Sequence, residues 1–189
     1  GGNLPALVST LQGNLYELRQ FSGLRLLDFD APEGYLARFS GPRFGIAGTR
    51  RMSGVEGRPL IGTIVKPSIG LSPAETAALV AQLAEAGIDF IKDDELMDDP
   101  PHSPFEARLD AVMAVVRRHA DRTGRRVMYA FNLSGEIDAM LRHYERVVAA
   151  GGTCVMLSLN TVGLAGVKRV CELGALPVHG HRNGWGMLN

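Results

Sequence analysis

The chain has 189 residues, of which 46% are hydrophobic and 21% are charged, and this composition excludes wholesale disorder. Its 20 basic residues balance its 20 acidic residues without any long basic run, so we expect no nucleic-acid partner. The chain contains no uncharged apolar stretch of about 18 residues, so we expect no membrane partner. Its two cysteines predict a reduced, cytoplasmic setting instead of a disulfide framework.

Residues 1–50 lack a regular pattern of strands and helices. The segments 14–23 and 24–30 fit either a strand or a helix, while Pro32, Pro42 and several glycines interrupt any periodicity. We interpret this part as the end of a preceding domain followed by a linker.

From residue 59 onward one unit repeats: an apolar strand, a loop, an amphipathic helix and a glycine. The strand candidates contain Ile, Val, Leu and Phe without clean alternation, which is typical of strands buried on both faces of a parallel sheet. They span residues 59–66, 88–93, 126–132, 153–159 and 176–181.

Four helices lie between these strands. Ser72 and Glu75 predict a capping box for the first helix, and Ser103 and Glu106 predict the same cap for the second, which Gly124 ends. The third helix covers about 135–151 and the fourth about 164–173. The inward face of the third helix is predicted to carry Ile137, Met140, Leu141, Tyr144 and Val148.

The alternation of strands and helices with short loops predicts parallel βαβ units and an α/β fold. An open doubly wound sheet and part of a (β/α)₈ barrel both fit this pattern. A complete barrel needs about 250 residues, so residues 59–189 supply about five of its eight units.

Polar side chains follow every predicted strand, at the edge where parallel α/β folds place their active sites. They are Lys66 and Ser68, the run from Lys92 to Glu95, Asn132, Ser158 and Asn160, and the run from His179 to Asn183. Adjacent strand residues point to opposite faces, so Lys92 and Asp94 share a side that Glu95 can join. Two carboxylates beside a third anionic oxygen suit Mg²⁺. A buried lysine with a lowered pKa can supply that oxygen by reacting with CO₂ to give a carbamate. A salt-bridged polar turn at the surface is the alternative.

Lys66 and the two histidines of the last strand are further candidates. Lys66 can act as an acid or base or hold an oxyanion, unless it is an ordinary surface lysine. His179 and His181 lie on one face of their strand and fit a metal, a phosphate or acid–base chemistry. The alternative is one core histidine and one surface histidine.

Three stretches, GPRFGI at 41–46, GRPLIGTIVKPSIGLS at 57–72 and GIDFIKDDE at 87–95, resemble the large subunit of ribulose bisphosphate carboxylase (RuBisCO) and its RuBisCO-like relatives. The resemblance covers essentially the whole chain. It implies that residues 1–40 end a small N-terminal α+β domain and that residues 41–189 form strands one to five of a (β/α)₈ TIM barrel.

The resemblance also implies roles for individual residues. Lys92 matches the lysine that CO₂ carbamylates, and Asp94 and Glu95 match its partners in binding Mg²⁺. Lys66, His181 and Arg182 match catalytic residues. Arg182 matches a residue that faces a substrate phosphate, and Asn132, Asn160 and Asn183 are expected to bind substrate with it.

Departures from the family pattern indicate the RuBisCO-like branch. Authentic carboxylases carry a lysine at the position of Ser68, a histidine at Trp185, and a His-Asp pair at Leu157 and Ser158. The metal ligands are thus kept while the residues around them differ, which is similar to RuBisCO-like proteins and not to carboxylases.

The segments at 66–70 and 179–186 resemble the RuBisCO-like enzymes of apionate catabolism. They imply a Mg²⁺-dependent enzyme that forms a metal-bound enediolate from a phosphorylated sugar acid, by decarboxylation or transcarboxylation/hydrolysis of 3-oxo-isoapionate 4-phosphate. A homodimer or larger homo-oligomer is also implied. The alternatives are the 2,3-diketo-5-methylthiopentyl-1-phosphate enolase of methionine salvage, a true carboxylase, and an inactive fragment or interaction module.

Overall fold

The computed structural model describes residues 3–188, with the side chain of Leu188 left out. The chain divides into two compact units, the first ending at Pro42 and the second beginning at Arg43. Each unit is described by itself below.

The first unit contains little regular structure. It has helix α1 (Leu4–Gln12), a 3-10 turn (Leu15–Glu17) and the one-turn helix α2 (Glu33–Leu36). Residues 18–32 form neither a helix nor a strand, so the segment 24–30 adopts neither of the two expected structures. Large apolar side chains in this segment are exposed, Leu27 at 89%, and the segment therefore has no packed face that would impose a helical or strand period.

The second unit contains one sheet of five parallel strands, and their order in the sheet is their order along the chain. The strands are β1 (Gly62–Ile64), β2 (Phe90–Lys92), β3 (Met128–Asn132), β4 (Cys154–Ser158) and β5 (Val178–His181). Each lies inside its predicted range and is shorter, because only the middle of each segment pairs with a neighbour. The α/β class and the five-strand part of a barrel are confirmed.

The helices of the second unit precede, separate and follow the strands. They are α3 (Gly45–Ser53), α4 (Pro73–Glu85), α5 (Phe105–Thr123), α6 (Ile137–Ala149), α7 (Leu159–Leu173) and α8 (Trp185–Leu188). Helix α7 is longer than predicted because a turn before Gly163 adds to it. Gly163 has a φ of 74° and breaks the helical path there.

The helix caps agree with the sequence in one case and differ in another. Ser72 and Glu75 form the predicted capping box at the start of α4. The predicted cap of α5 is wrong, because the carboxylate Oδ1 of Asp99 accepts the hydrogen bond from the Phe105 backbone N–H, at 2.6 Å. Ser103 does not cap the helix; its carbonyl oxygen accepts a hydrogen bond from Arg108.

The inward face of α6 is partly as predicted. Met140 and Tyr144 are buried, whereas Ile137 and Val148 are 50% and 39% exposed, so their inward placement is wrong. Ile137 is the first residue of the helix, and the neighbouring Val147 takes the buried position in place of Val148.

The two faces of the sheet have different partners. The outer face packs on the helices and forms the main core, with Ile91, Tyr129, Phe131, Val155 and Leu157 from the strands. The inner face carries a smaller cluster of Met128, Ala130, Cys154 and Met156. Because strand residues alternate between faces, Lys92, which pairs with Ala130, lies on the inner face.

A buried carboxylate just before β2 forms hydrogen bonds and ion pairs with residues around it. Asp89 is 3% exposed and accepts two hydrogen bonds from the Arg58 guanidinium, at 2.6 and 2.8 Å. The Ile61 backbone N–H donates to the same carboxylate at 2.9 Å, and Arg125 approaches it at 3.4 Å. These contacts, with the bond to Arg58 largest, lower the pKa of Asp89 from 3.8 to about 2.

No helix within residues 3–188 combines the length and the apolar character needed to cross a membrane.

Candidate active site at the carboxyl ends of the strands

Two of the predicted site residues, Lys66 and Asp94, form an ion pair. Lys66 follows β1 and Asp94 follows β2, and these neighbouring strands bring the Lys66 Nζ within 2.5 Å of the Asp94 Oδ2. Lys66 also donates to the Ser68 Oγ at 2.8 Å. Asp94 is fully buried, and its other carboxylate oxygen accepts the Leu96 backbone N–H.

A second group of predicted residues surrounds Glu95. Its Oε2 lies 3.9 Å from the Lys92 Nζ and 3.7 Å from the His181 Nε2. The His181 Nδ1 accepts a hydrogen bond from the Asn183 backbone N–H at 3.3 Å, which assigns the proton of the neutral ring to Nε2. The strand ends thus bring together two carboxylates, two lysines and an imidazole.

The surroundings lower the pKa of Lys92 and of Asp94 and raise the pKa of Lys66. Burial lowers the pKa of Lys92, and the nearby Lys66 lowers it further, although Glu95 and Asp94 oppose the shift. Burial raises the pKa of Asp94, but the hydrogen bonds from Lys66 and Leu96 prevail, so that its pKa is lowered. The hydrogen bond to Asp94 raises the pKa of Lys66, which keeps this ammonium charged.

These residues fit a hard divalent cation when Lys92 is considered with the carboxylates. Within residues 3–188, no group of three or more His, Cys, Asp or Glu side chains is arranged to hold a metal ion. The donor set here has two carboxylates, Asp94 and Glu95, and a half-buried amine whose lowered pKa favours the neutral form that adds CO₂. A carbamate on Lys92 would complete three anionic oxygen ligands, which is the chemistry that Mg²⁺ prefers.

Asn132 forms hydrogen bonds to the loop that carries Asp94 and Glu95. Its side chain is buried, and Nδ2 donates to the carbonyl oxygens of Asp94 and Glu95, at 3.3 and 3.1 Å. Its Oδ1 accepts the Ser134 backbone N–H. The substrate-binding role expected for Asn132 stays a prediction.

The remaining predicted residues lie around the end of β5. Arg182 is exposed, and the Asn160 Nδ2 donates to the Asn183 carbonyl oxygen at 2.8 Å. Among the described residues, the buried Ser158 Oγ and Asn183 Oδ1 have no hydrogen-bond partner. A buried polar atom without a partner is costly, so both atoms are suited to meet a polar ligand.

His179 is partly buried, between the core and the surface positions considered as alternatives. It lies on the inner face two residues before His181, and its ring packs against Phe90 with 5.3 Å between centroids. Burial lowers its pKa, and the charges of Lys92 and His181 lower it further.

Three buried residues behind the site form a polar cluster that we call the Asp93 cluster: Asp93, Arg108 and Tyr129. Tyr129 donates its hydroxyl proton to the Asp93 Oδ1, and the Asn132 backbone N–H donates to Oδ2 at 2.9 Å. The Arg108 Nε lies 3.4 Å from the same Oδ2, in an ion pair whose two side chains are fully buried. Arg108 and Tyr129 were not among the predicted site residues. The available signal was a charged residue at 108 in the apolar stripe of α5 that includes Phe105 and Val112.

Comparisons with known proteins show what the chain is similar to. A family model described as "Ribulose bisphosphate carboxylase large chain, catalytic domain" matches residues 45–189. The chain is 56% identical over 188 residues to a 3-oxo-isoapionate-4-phosphate transcarboxylase/hydrolase from Xanthobacter autotrophicus, covering 100% of this chain and 45% of that protein. It is 45% identical over 189 residues to a 3-oxo-isoapionate-4-phosphate decarboxylase from Rhizobium etli, with the same coverage.

A solved structure is similar over the same length. The rubisco-like protein from Burkholderia fungorum superimposes with a TM-score of 0.96 at 52% identity, covering 100% of this chain and 46% of that one. The chain therefore spans a little under half the length of the proteins it matches.

Proposed function

Because the chain belongs to the family of the ribulose bisphosphate carboxylase large chain, we propose that it forms part of a RuBisCO-like enzyme acting on 3-oxo-isoapionate 4-phosphate, by decarboxylation or by transcarboxylation and hydrolysis. The observation that carries the proposal is the cluster at the strand ends, where Lys66 contacts Asp94 beside Lys92, Glu95 and His181. Relatives named for both reactions on this substrate match along the whole chain, which supports the choice of substrate.

The contact at Ser68 favours this branch over a carboxylase. Ser68 occupies the position where the resemblance places a second lysine in carboxylases, and its hydroxyl accepts a hydrogen bond from Lys66. A lysine at 68 would put a second positive charge beside the Lys66 ammonium. With serine, Lys66 is the only cationic side chain of this strand end.

Mg²⁺ would be held by Asp94, Glu95 and the carbamate of Lys92. The carbamate forms when the neutral Lys92 amine adds CO₂ and releases a proton, which the lowered pKa of Lys92 favours. When bound, the cation supplies Lewis-acid stabilisation of the negative charge that develops on the substrate oxygens. Lys66, which pairs with Asp94 here, would face the substrate when that carboxylate is engaged with the cation.

The surrounding residues supply the proton and the orientation that the reaction needs. In the decarboxylation of a β-keto acid, the bond between the carboxylate and the neighbouring carbon breaks, CO₂ leaves, and the electron pair remains as an enediolate. Lys66 then donates a proton to that carbon, and the His181 Nε2–H donates a hydrogen bond to the enediolate oxygen. Arg182 binds the substrate phosphate, and the unpartnered Asn183 Oδ1 accepts a hydrogen bond from a substrate hydroxyl.

The wider assembly follows from the same proposal. We propose a homodimer or larger homo-oligomer in the cytoplasm, with residues 1–40 ending an N-terminal α+β domain and residues 41–189 forming the first five barrel units. Both cysteines are free thiols, which is compatible with a reducing compartment.

The test is an assay of the full-length protein that carries this chain. We expect CO₂ release, or transfer of the carboxyl group, from 3-oxo-isoapionate 4-phosphate that requires both Mg²⁺ and bicarbonate. Lys92→Ala should abolish the activity. Lys168→Ala, at a lysine that pairs with Glu172 on helix α7, should leave it unchanged.

Two results would contradict the proposal. One is full turnover without Mg²⁺ or in Lys92→Ala. The other is turnover of 2,3-diketo-5-methylthiopentyl 1-phosphate or ribulose bisphosphate in place of the sugar acid.

A further inference from the structure

Arg108 holds the loop that follows the candidate metal ligands. This side chain is fully buried, and Nη2 donates to the carbonyl oxygens of Met97 and Asp98, at 2.6 and 2.7 Å. Nη1 donates to the carbonyl oxygen of Ser103 at 2.6 Å. One guanidinium on α5 therefore satisfies three carbonyl groups of the segment 97–103, which lies between β2 and α5 and forms no strand or helix.

The same arginine reaches the residue between the metal ligands. Asp93 comes directly after β2 and contacts Arg108 and Tyr129 on the helix side of the sheet, whereas Lys92 lies on the inner face. The Arg108 Nε lies 3.4 Å from the Asp93 Oδ2, and Tyr129 donates to the other oxygen. Asp93 is thus fixed on the helix side, at the point where the chain leaves the sheet.

A metal site tolerates little movement of its ligands, and residues that orient the ligands affect metal affinity strongly. Leu96, Met97 and Asp98 come directly after Glu95, and from the sheet Asn132 donates hydrogen bonds to the carbonyl oxygens of Asp94 and Glu95. Without Arg108, the carbonyl groups of Met97, Asp98 and Ser103 and the Asp93 carboxylate would lose a charged partner, and the loop would have to rearrange to find others.

We propose that the Asp93 cluster is a positioning unit for the metal site, in which Arg108 holds the Asp93 side chain before Asp94 and the loop backbone after Glu95 without touching the metal or the substrate. This inference rests on the proposed function, because it assigns the cluster to the Mg²⁺ and carbamate site. The cluster acts on how tightly the metal is held and on how readily Lys92 is carbamylated.

The test compares Arg108→Lys with the full-length parent protein and with Arg146→Met. Arg146 is an exposed arginine on α6 that pairs with Glu106, so Arg146→Met removes a surface ion pair from the same helical layer. Mn²⁺ affinity is measured by electron paramagnetic resonance in the presence of bicarbonate, and the carbamate carbon is observed by NMR with ¹³C-labelled bicarbonate. Neither readout requires turnover.

We expect Arg108→Lys to keep the circular dichroism spectrum of the parent protein but to bind Mn²⁺ about 10–100-fold more weakly, the range typical when a residue that orients metal ligands is lost. Its carbamate signal should be weaker at equal bicarbonate. A folded Arg108→Lys protein with the Mn²⁺ affinity of the parent would overturn the inference, and so would an equal loss in Arg146→Met.

A milder variant covers the case in which Arg108→Lys does not fold. Tyr129→Phe removes only the hydroxyl that donates to Asp93, and it should also weaken Mn²⁺ binding; an unchanged affinity would overturn the inference. If the parent protein itself shows no bicarbonate-dependent Mn²⁺ binding, the proposed function fails as well. Metal binding in the parent with no effect of the variants refutes the positioning role alone.

Discussion

The carboxylate at the amino-terminal end of β2 makes the stability of the protein depend on pH in a calculable way. Asp89 is almost completely buried and accepts hydrogen bonds from Arg58 and from the Ile61 backbone, which lower its pKa from 3.8 to about 2. One pKa unit corresponds to about 1.4 kcal/mol, so this carboxylate stabilises the folded state by about 2 kcal/mol above pH 5. The folded state binds the proton less tightly than the unfolded state, and the contribution is therefore lost as the pH falls towards 2.

The perturbation is Asp89→Asn, which keeps the size of the side chain and removes its charge. We expect the free energy of unfolding to be lower than in the parent protein by about 2 kcal/mol at pH 7 and by only about 1 kcal/mol at pH 3, because half of the effect is by then lost to protonation. The assay is urea unfolding followed by circular dichroism at both pH values. Asp121→Asn, at an exposed aspartate on α5, is the matched control and should show no such change.

At each pH, the difference between parent and variant cancels the contributions of the other titrating groups, because both proteins share them. The change of this difference between pH 7 and pH 3 therefore reports on Asp89. A gap between parent and Asp89→Asn that is the same at pH 7 and pH 3 would refute the reasoning. It would mean that the carboxylate is not held in its charged form by Arg58.

Two further predictions concern a helix cap and the cysteines. Ser72→Ala should lower the free energy of unfolding by about 1 kcal/mol, because the Glu75 backbone N–H loses its acceptor, and an unchanged urea midpoint would contradict this. Burial raises the pKa of Cys154 to about 12, so iodoacetamide at pH 8 should label the half-buried Cys171 first in the folded protein. Mass spectrometry of the digested protein measures the order, the urea-unfolded protein is the control, and equal labelling of both folded thiols would be the contrary result.

The strands of the fold follow from the sequence because their signal is local. Buried parallel strands need continuous apolar residues, and each predicted segment contains the observed strand. The capping box of α4 is equally local, since Ser72 and Glu75 satisfy each other within one turn. The start of α5 is different. Ser103 has the right spacing for a cap, but the Phe105 backbone N–H donates its hydrogen bond to Asp99, six residues earlier.

The site was predictable where alternation along a strand decides which side chains meet. Lys92 lies on the inner face of β2, Asp94 pairs with Lys66 from the neighbouring strand end, and Glu95 lies 3.9 Å from Lys92. The partners of Asp93 were not predictable in the same way, because Arg108 and Tyr129 come from α5 and β3 and meet only in the packed structure. In the first unit the sequence left strand and helix open for residues 14–23 and 24–30, because its apolar residues are not arranged with the period of any packed face.

The sequential order of the strands has a consequence for how the chain acquires its structure during synthesis. Each strand pairs with the one made immediately before it, so no strand has to wait for a partner far away in the sequence. Each pairing closes a loop of only one helix and its connections, which costs less loop entropy than pairing strands far apart in the sequence. The second unit can therefore grow one strand and one helix at a time as the ribosome releases it, and every new unit finds its docking surface already in place.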